Sequence, residues 1–271
     1  MARFLTGLVG VIIFVTAILL WFPVMPIVVL LFIVMALTEM VQAMRSVGIN
    51  IVPYGAYITV ALLWPAYLLL AWEGMLAALV IGVLVTLAWP KNIKRSFQDV
   101  SASVMLLVYP VLPLAFLLFT AFMPMQEGRL VIGWGLGISF FMDTMAYYSG
   151  SLFGKHQLAP NISPKKTIEG AAGALICAIL AAVPVGLWLQ GIYTGTVWYV
   201  YVIAAIICGM GAMVGDLTAS VIKRQLGIKD FGKLLPGHGG ILDRFDSIMF
   251  ALPLTFILVK LYALVTPLVL P

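Results

Sequence analysis

From Pro26 to Met44 the chain runs nineteen residues, PIVVLLFIVMALTEMVQAM, with a single charge, Glu39. A helix of that length covers roughly 30 Å at 1.5 Å per residue, the thickness of a bilayer's hydrocarbon core. Such stretches recur along all 271 residues, which carry only 15 Lys and Arg and 10 Asp and Glu, with 63% hydrophobic residues and a mean hydropathy of +1.15. A soluble domain is nearer half apolar and a quarter charged. The pattern excludes a soluble globule. It predicts an all-α, polytopic membrane helix bundle of about nine spans: 4–22, 26–44, 52–71, 74–90, 100–124, 130–150, 168–190, 195–224 and 245–268. Pro23 and Pro26, and Glu73 alone, separate neighbouring spans that form tight hairpins.

The first span follows Arg3 as a leader would, but its apolar run is long and no small-x-small site follows, so a retained helix is expected. Cys177 and Cys208 fall in separate spans without metal-site spacing and read as small core residues. No fixed-period repeat, low-complexity tract or long linker is seen, so the chain is expected to form one membrane unit.

If nine helices alternate, one side receives Arg3, Arg45, Lys91, Lys94, Arg95, Lys155, Lys165, Lys166, Lys223, Arg224, Lys229, Lys233 and Arg244, and the other only Arg129. Short loops rich in Lys and Arg stay in the cytoplasm. The N-terminus is therefore expected there, and the C-terminus outside. Orientation accounts for Arg45, Lys91, Lys94 and Arg95. It does not account for the Gly, His and Asp in HQLAPNISPKKTIEG and KRQLGIKDFGKLLPGHGGILDRFD, where a site is the better reading.

Acidic residues inside a span are costly and usually face a bundle interior or a wet cavity. Asp216, Ser220 and Lys223 follow i, i+4, i+7 and share one helical face; Asp143, Tyr147, Gly150 and Gly154 form a second such stripe. Each Asp lies seven residues, about 10 Å, below the cytoplasmic end of its helix. Two carboxylates at matched depth are expected to border one cavity. Glu39, near a helix end and followed by Gln42 and Arg45, reads as an i, i+3 contact or as snorkelling.

In PGHGG the glycines let backbone amides approach a phosphate closely. Asp243 and Asp246, at i and i+3, begin the last helix, where N-capping explains one of them. Capping does not call for Lys223, Arg224, Lys229, Lys233, His238 and Arg244 close by in sequence. Carboxylates among cations suit Mg²⁺ bridging substrate phosphates, while Lys and Arg neutralise the remaining charge. There is no Cys/His cluster for zinc and no GxxxxGK[ST] loop.

The segment SVIKRQLGIKDFGKLLPGHGGILDRFD, from Ser220 to Asp246, resembles the signature of the phosphatidate cytidylyltransferase family, and so do SPKKTIEG at 163–170 and DTMAYYSGSLFGK at 143–155. The resemblance implies a reaction of CTP with phosphatidic acid in the bilayer to give CDP-diacylglycerol and pyrophosphate, with Mg²⁺ in a two-metal site. It also implies a homodimer, embedded in a bacterial cytoplasmic membrane with its catalytic loops on the cytoplasmic side. Residues 131–271 would hold the catalytic helices and loops, and 1–130 a scaffold with lipid or dimer surface.

On this reading Asp216 and Asp243 bind metal, with Asp246 as a third ligand or an orienting group. Lys165, Lys166, Lys223 and Arg224 hold phosphates, with Ser220 and Arg244 beside them in the substrate site. His238, Gly239 and Gly240 shape a triphosphate cradle, and Asp143 and Tyr147 border the cavity. Two other readings stand against it: a CTP-dependent lipid kinase, which requires a base for its alcohol, and an ion-coupled anion transporter. No nucleic-acid role is indicated, because topology and nucleotide account for the basic residues.

Overall fold

The computed structural model describes residues 16, 18, 20, 24–89, 95–192, 196–232 and 239–265. The expected span 4–22 falls almost wholly outside them. The helices are α1 (Val24–Ser46), α2 (Tyr54–Ala88), α3 (Phe97–Leu106), α4 (Leu112–Ala121), α5 (Met125–Phe153), α6 (Ile168–Ile192), α7 (Trp198–Gln225), α8 (Leu242–Phe245) and α9 (Ile248–Val265). A π-helical turn, Leu107–Val111, joins α3 to α4, and two short strands, β1 (Gln157–Ala159) and β2 (Ser163–Thr167), precede α6. Among the described residues six helical stretches are long and apolar enough to cross a membrane, counting α3 to α4 as one, and Ile248–Ala263 is a shorter apolar helix. The chain divides into two compact units, residues 1–128 with 223–245 and residues 129–222 with 246–271.

In the first unit, Met25, Val29, Ile33, Ala36, Met40 and Met44 recur at helical spacing along α1 and are buried, against α4 with its own buried Leu114, Leu117 and Leu118. Helix α2 is two helices merged across a break at Leu70 and Ala71, where Ala71 takes φ 50°. A positive φ is rare without glycine and marks a forced reversal. The halves meet through small residues: Thr59 donates to the Ala78 carbonyl at 3.3 Å, and a Cβ on Gly82 would collide with the Thr59 hydroxyl. Close backbone approach at small residues is how membrane helices pack without a hydrophobic drive between them. The expected hairpin at Glu73 is thus present as a reversal at Leu70–Ala71.

Ser96 and Asp99 open α3 with a reciprocal capping box, the Asp99 N–H donating to Ser96 Oγ at 3.1 Å and the Ser96 N–H to Asp99 Oδ2 at 3.0 Å. Arg95, read as an orientation charge, also ties α2 to α3 by donating to the Thr86 carbonyl and to Ser103 Oγ, each at 3.0 Å. Helix α7 ends in a left-handed turn at Gly227, φ 66°, with the Ile228 N–H on the Lys223 carbonyl at 2.9 Å and the Gly227 N–H on the Arg224 carbonyl at 3.1 Å. This is a Schellman cap, and it redirects the chain into the signature segment.

The second unit has a core of small residues, with Ala174, Ala178 and Ala182 of α6 and Ala205, Cys208 and Ala212 of α7 around Ile138 and Met142. Cys208 is buried as expected and lies 3.2 Å from Thr255 Oγ1, whereas Cys177 is only half-buried. The antiparallel β1–β2 hairpin was not expected. It pairs Gln157 with Thr167 and Ala159 with Ser163, and it turns the SPKKT segment from a loop into a strand.

Candidate active site

Two of the acids on the long apolar helices, Asp143 and Asp216, belong to the second unit. Asp143 on α5 and Asp216 on α7 lie within electrostatic reach of each other and of Lys166. Lys166 forms an ion pair with Asp216, the two side chains being 29% and 27% exposed. Successive side chains of a strand point to opposite faces. Here Lys166 meets Asp216 while its neighbour Lys165 is exposed. The Ser247 hydroxyl lies 3.5 Å from both oxygens of Asp143, and the Ser247 N–H donates to Asp246 Oδ1 at 2.7 Å.

The strand is held by Glu169, whose Oε2 accepts the N–H groups of Lys155 and His156 at 3.0 and 3.1 Å while Oε1 meets His156 Nδ1 at 2.6 Å. Gly150 and Gly154, read as part of a cavity stripe, have a packing role: a Cβ on either would stand 2.9 Å from the Thr167 hydroxyl of β2. Tyr147, on the same predicted stripe, is exposed.

The first unit holds residues 223–245 of the signature segment, of which 223–232 and 239–245 are described. Asp243 is 4% exposed, and its Oδ2 accepts from the N–H groups of Phe231 at 2.9 Å and Gly240 at 3.0 Å. Its Oδ1 accepts from Lys223 Nζ at 2.8 Å, and Lys223 also lies 5.5 Å from the centre of the Phe231 ring. Among the described residues Oδ2 thus has two donors and Oδ1 has one. Gly239 takes φ 81°, a conformation that side chains disfavour. Arg224 and Arg244 are exposed, Ser220 is half-buried, and His238 lies outside the described residues.

The reading of Glu39 as an i, i+3 contact or a snorkelling side chain is corrected by the structure. Its residue is 4% exposed, and its two oxygens accept from the backbone N–H groups of Ile241 and Leu242, each at 2.9 Å. The signal that could have found it is the cost of a carboxylate in an apolar helix, which demands partners wherever they come from. Ser247 was missed because one Ser beside an Asp carries no spacing signal.

An Mg²⁺ ion suits oxygen donors, holds on to water and is commonly bound by one or two carboxylates with substrate phosphates. The Asp143 and Asp216 carboxylates fit that donor set. Among the described residues no group of three or more His, Cys, Asp or Glu is placed to hold a metal without further ligands.

The protein-family model described as the cytidylyltransferase family matches residues 1–262. The chain is 42% identical over 163 residues to a phosphatidate cytidylyltransferase of Staphylococcus saprophyticus, a match covering 60% of each chain. It is 38% identical over 183 residues to the proteins of that name from Staphylococcus haemolyticus and Staphylococcus aureus, covering 68% of each. With a family match over nearly its whole length and the signature segment in place, the chain belongs to the cytidylyltransferase family.

Proposed function

We propose that this chain is a phosphatidate cytidylyltransferase, joining CTP and phosphatidic acid to give CDP-diacylglycerol and pyrophosphate. The observation that carries the proposal is the cluster of Asp143 on α5, Asp216 on α7 and Lys166 on β2, in a chain of this family. A phosphate oxygen of phosphatidic acid attacks the α-phosphorus of CTP, and the bond to the β-phosphate breaks as pyrophosphate leaves. The nucleophile is already an oxyanion, so no general base is assigned. The difficulty is repulsion between two anions, which leaves catalysis to positioning and electrostatics.

Lys166 and Arg224 neutralise phosphate charge, and Lys223, bonded to Asp243 among the described residues, adds a further ammonium charge. Asp216 is assigned to the metal with Asp143 beside it. The sequence assignment of Asp243 and Asp246 as ligands is kept for each residue singly, Asp243 through Oδ1. Mg²⁺, when bound, supplies charge neutralisation of the phosphates and the leaving group.

The same proposal has nine crossings: residues 4–22, α1, the two halves of α2, α3 to α4, α5, α6, α7 and α9. The N-terminus and the basic loops face the cytoplasm, and Pro271 lies outside. Labelling of single cysteines at Lys166 and Pro271 from each side tests this, and a cytoplasmic C-terminus would change the count by one. Crosslinking in membranes tests the expected homodimer.

The deciding experiment uses purified protein in detergent with labelled CTP, phosphatidic acid and Mg²⁺. Cytidine label in the lipid supports cytidylyl transfer. Transfer of the γ-phosphate alone to an alcohol means a lipid kinase, and absence of any metal-dependent product returns the transporter reading.

A further inference from the structure

Glu39 lies 202 residues before Ile241, near the end of a helix that carries no other feature of the signature, yet both its oxygens are committed to the signature segment. Two charge-assisted hydrogen bonds of 2.9 Å to consecutive N–H groups fix that stretch of backbone in position and direction. The surroundings are built to this carboxylate. A Cβ on Gly240 would come within 2.7 Å of the Glu39 carboxyl carbon, and one on Gly232 within 2.6 Å, so both glycines are required by the close approach of Glu39. The Asp243 carboxylate reaches the same segment through the Gly240 N–H at 3.0 Å. Residues 240–242 are thus held by three consecutive N–H groups, one by Asp243 and two by Glu39.

We propose that Glu39 is a positioning residue for cytidylyl transfer: it sets the backbone of 240–242, and through it Asp243 and the Gly239–Gly240 turn, so that turnover depends on a side chain of the N-terminal half. The proposal rests on the reading of the chain as a cytidylyltransferase. Its chemistry is specific. An isosteric amide at position 39 keeps size and one acceptor but turns its NH₂ group toward a backbone N–H, donor against donor. The segment then moves, and a displacement on the order of 1 Å at a positioned group lowers rate by about 100-fold.

The test uses the full-length protein purified in detergent as wild type, Glu39→Gln, Glu39→Asp, Gly240→Ala and the double variant Glu39→Asp/Gly240→Ala. Two quantities are read: kcat and KM for CTP per folded molecule, and amide hydrogen exchange of residues 239–245. The expected result is a loss in kcat/KM on the order of 100-fold in Glu39→Gln, with faster exchange at Ile241 and Leu242 and unchanged exchange in α4 and α5. Gly240→Ala alone shows the same loss. The double variant recovers part of it, because the shorter acid retreats from the new methyl group.

Wild-type kinetics per folded molecule in Glu39→Gln, whatever its melting temperature, overturns the proposal, since a purely structural role lowers only the folded fraction. Unchanged exchange at Ile241 and Leu242 also overturns it. If the wild type itself forms no cytidine-labelled lipid, the functional reading fails first. The exchange arm then still decides whether Glu39 holds the segment.

Discussion

Two Lys–Asp pairs, one in each unit, differ in how far they are withdrawn from solvent. Lys223 and Asp243 are 14% and 4% exposed, and Asp243 also accepts two backbone N–H groups; Lys166 and Asp216 are 29% and 27% exposed, with a second carboxylate, Asp143, within electrostatic reach. A buried pair whose acid also accepts backbone N–H groups orders the backbone around it, and removing one partner leaves a stranded charge. A half-open pair beside a second acid has unmet electrostatic demand, which a cation or a phosphate can enter. The first pair orders the signature segment, and under the proposed function the second is the one that receives ligands.

The sharpest way to break this distinction is Asp216→Asn. The amide keeps volume and one carbonyl acceptor but loses the charge that a divalent ion requires. Turnover should fall by roughly 100- to 1,000-fold, in the range seen when a transition-state charge loses its partner, while the melting temperature stays near wild type. Mg²⁺-dependent formation of CDP-diacylglycerol measures it. Near-normal activity with normal Mg²⁺ dependence would remove Asp216 from the site.

Next in size is the contrast between the two lysines. Lys223→Met strands the Asp243 carboxylate and should cost about 3–5 kcal/mol of stability. Lys166→Met should cost about 1 kcal/mol or less, because solvent reaches both members of its pair, and should instead raise KM for CTP or lower kcat. Adding Asp243→Leu to Lys223→Met should return only part of the stability, since the N–H groups of Phe231 and Gly240 remain without their acceptor. Denaturant or thermal unfolding in detergent, run beside the activity assay, separates loss of stability from loss of activity. Equal stability losses at both lysines would erase the contrast.

The same comparison shows what was legible in the sequence. Asp143 and Asp216 stood out because an acid in an apolar run is expensive, and helical periodicity put each on a definite face; the structure brings the two within electrostatic reach. Periodicity names a face and says nothing of a distant partner. Hence periodicity puts Lys223 on the stripe of Asp216, whereas its bonded partner is Asp243, and it leaves Glu39 to an i, i+3 contact or snorkelling although its partners lie 202 and 203 residues onward. The β1–β2 hairpin was hidden for a different reason. Its strands have three and five residues, and Pro164 interrupts the second, so no alternation accumulates. The glycines at 239 and 240 read as a phosphate cradle, yet one answers to a positive φ and the other to the Glu39 carboxylate. A glycine reports that something comes close, and the sequence does not say what.

The smallest expected effect concerns Lys165, which adjoins Lys166 in β2 but is exposed. Its charge acts on an incoming anion only through solvent, so Lys165→Ala should lower kcat/KM for CTP no more than a few-fold. That small effect should itself fade as ionic strength rises past 0.15 M, where the screening length falls to about 8 Å. Lys166→Ala should keep most of its larger defect under the same salt, because its ammonium group sits in the half-buried pair with Asp216. Initial rates for wild type and both variants across a salt series provide the measurement. If Lys165→Ala proves the more damaging at every salt concentration, then in the working enzyme β2 presents its opposite face to the substrate, and Lys166–Asp216 becomes the pair that holds the hairpin in place.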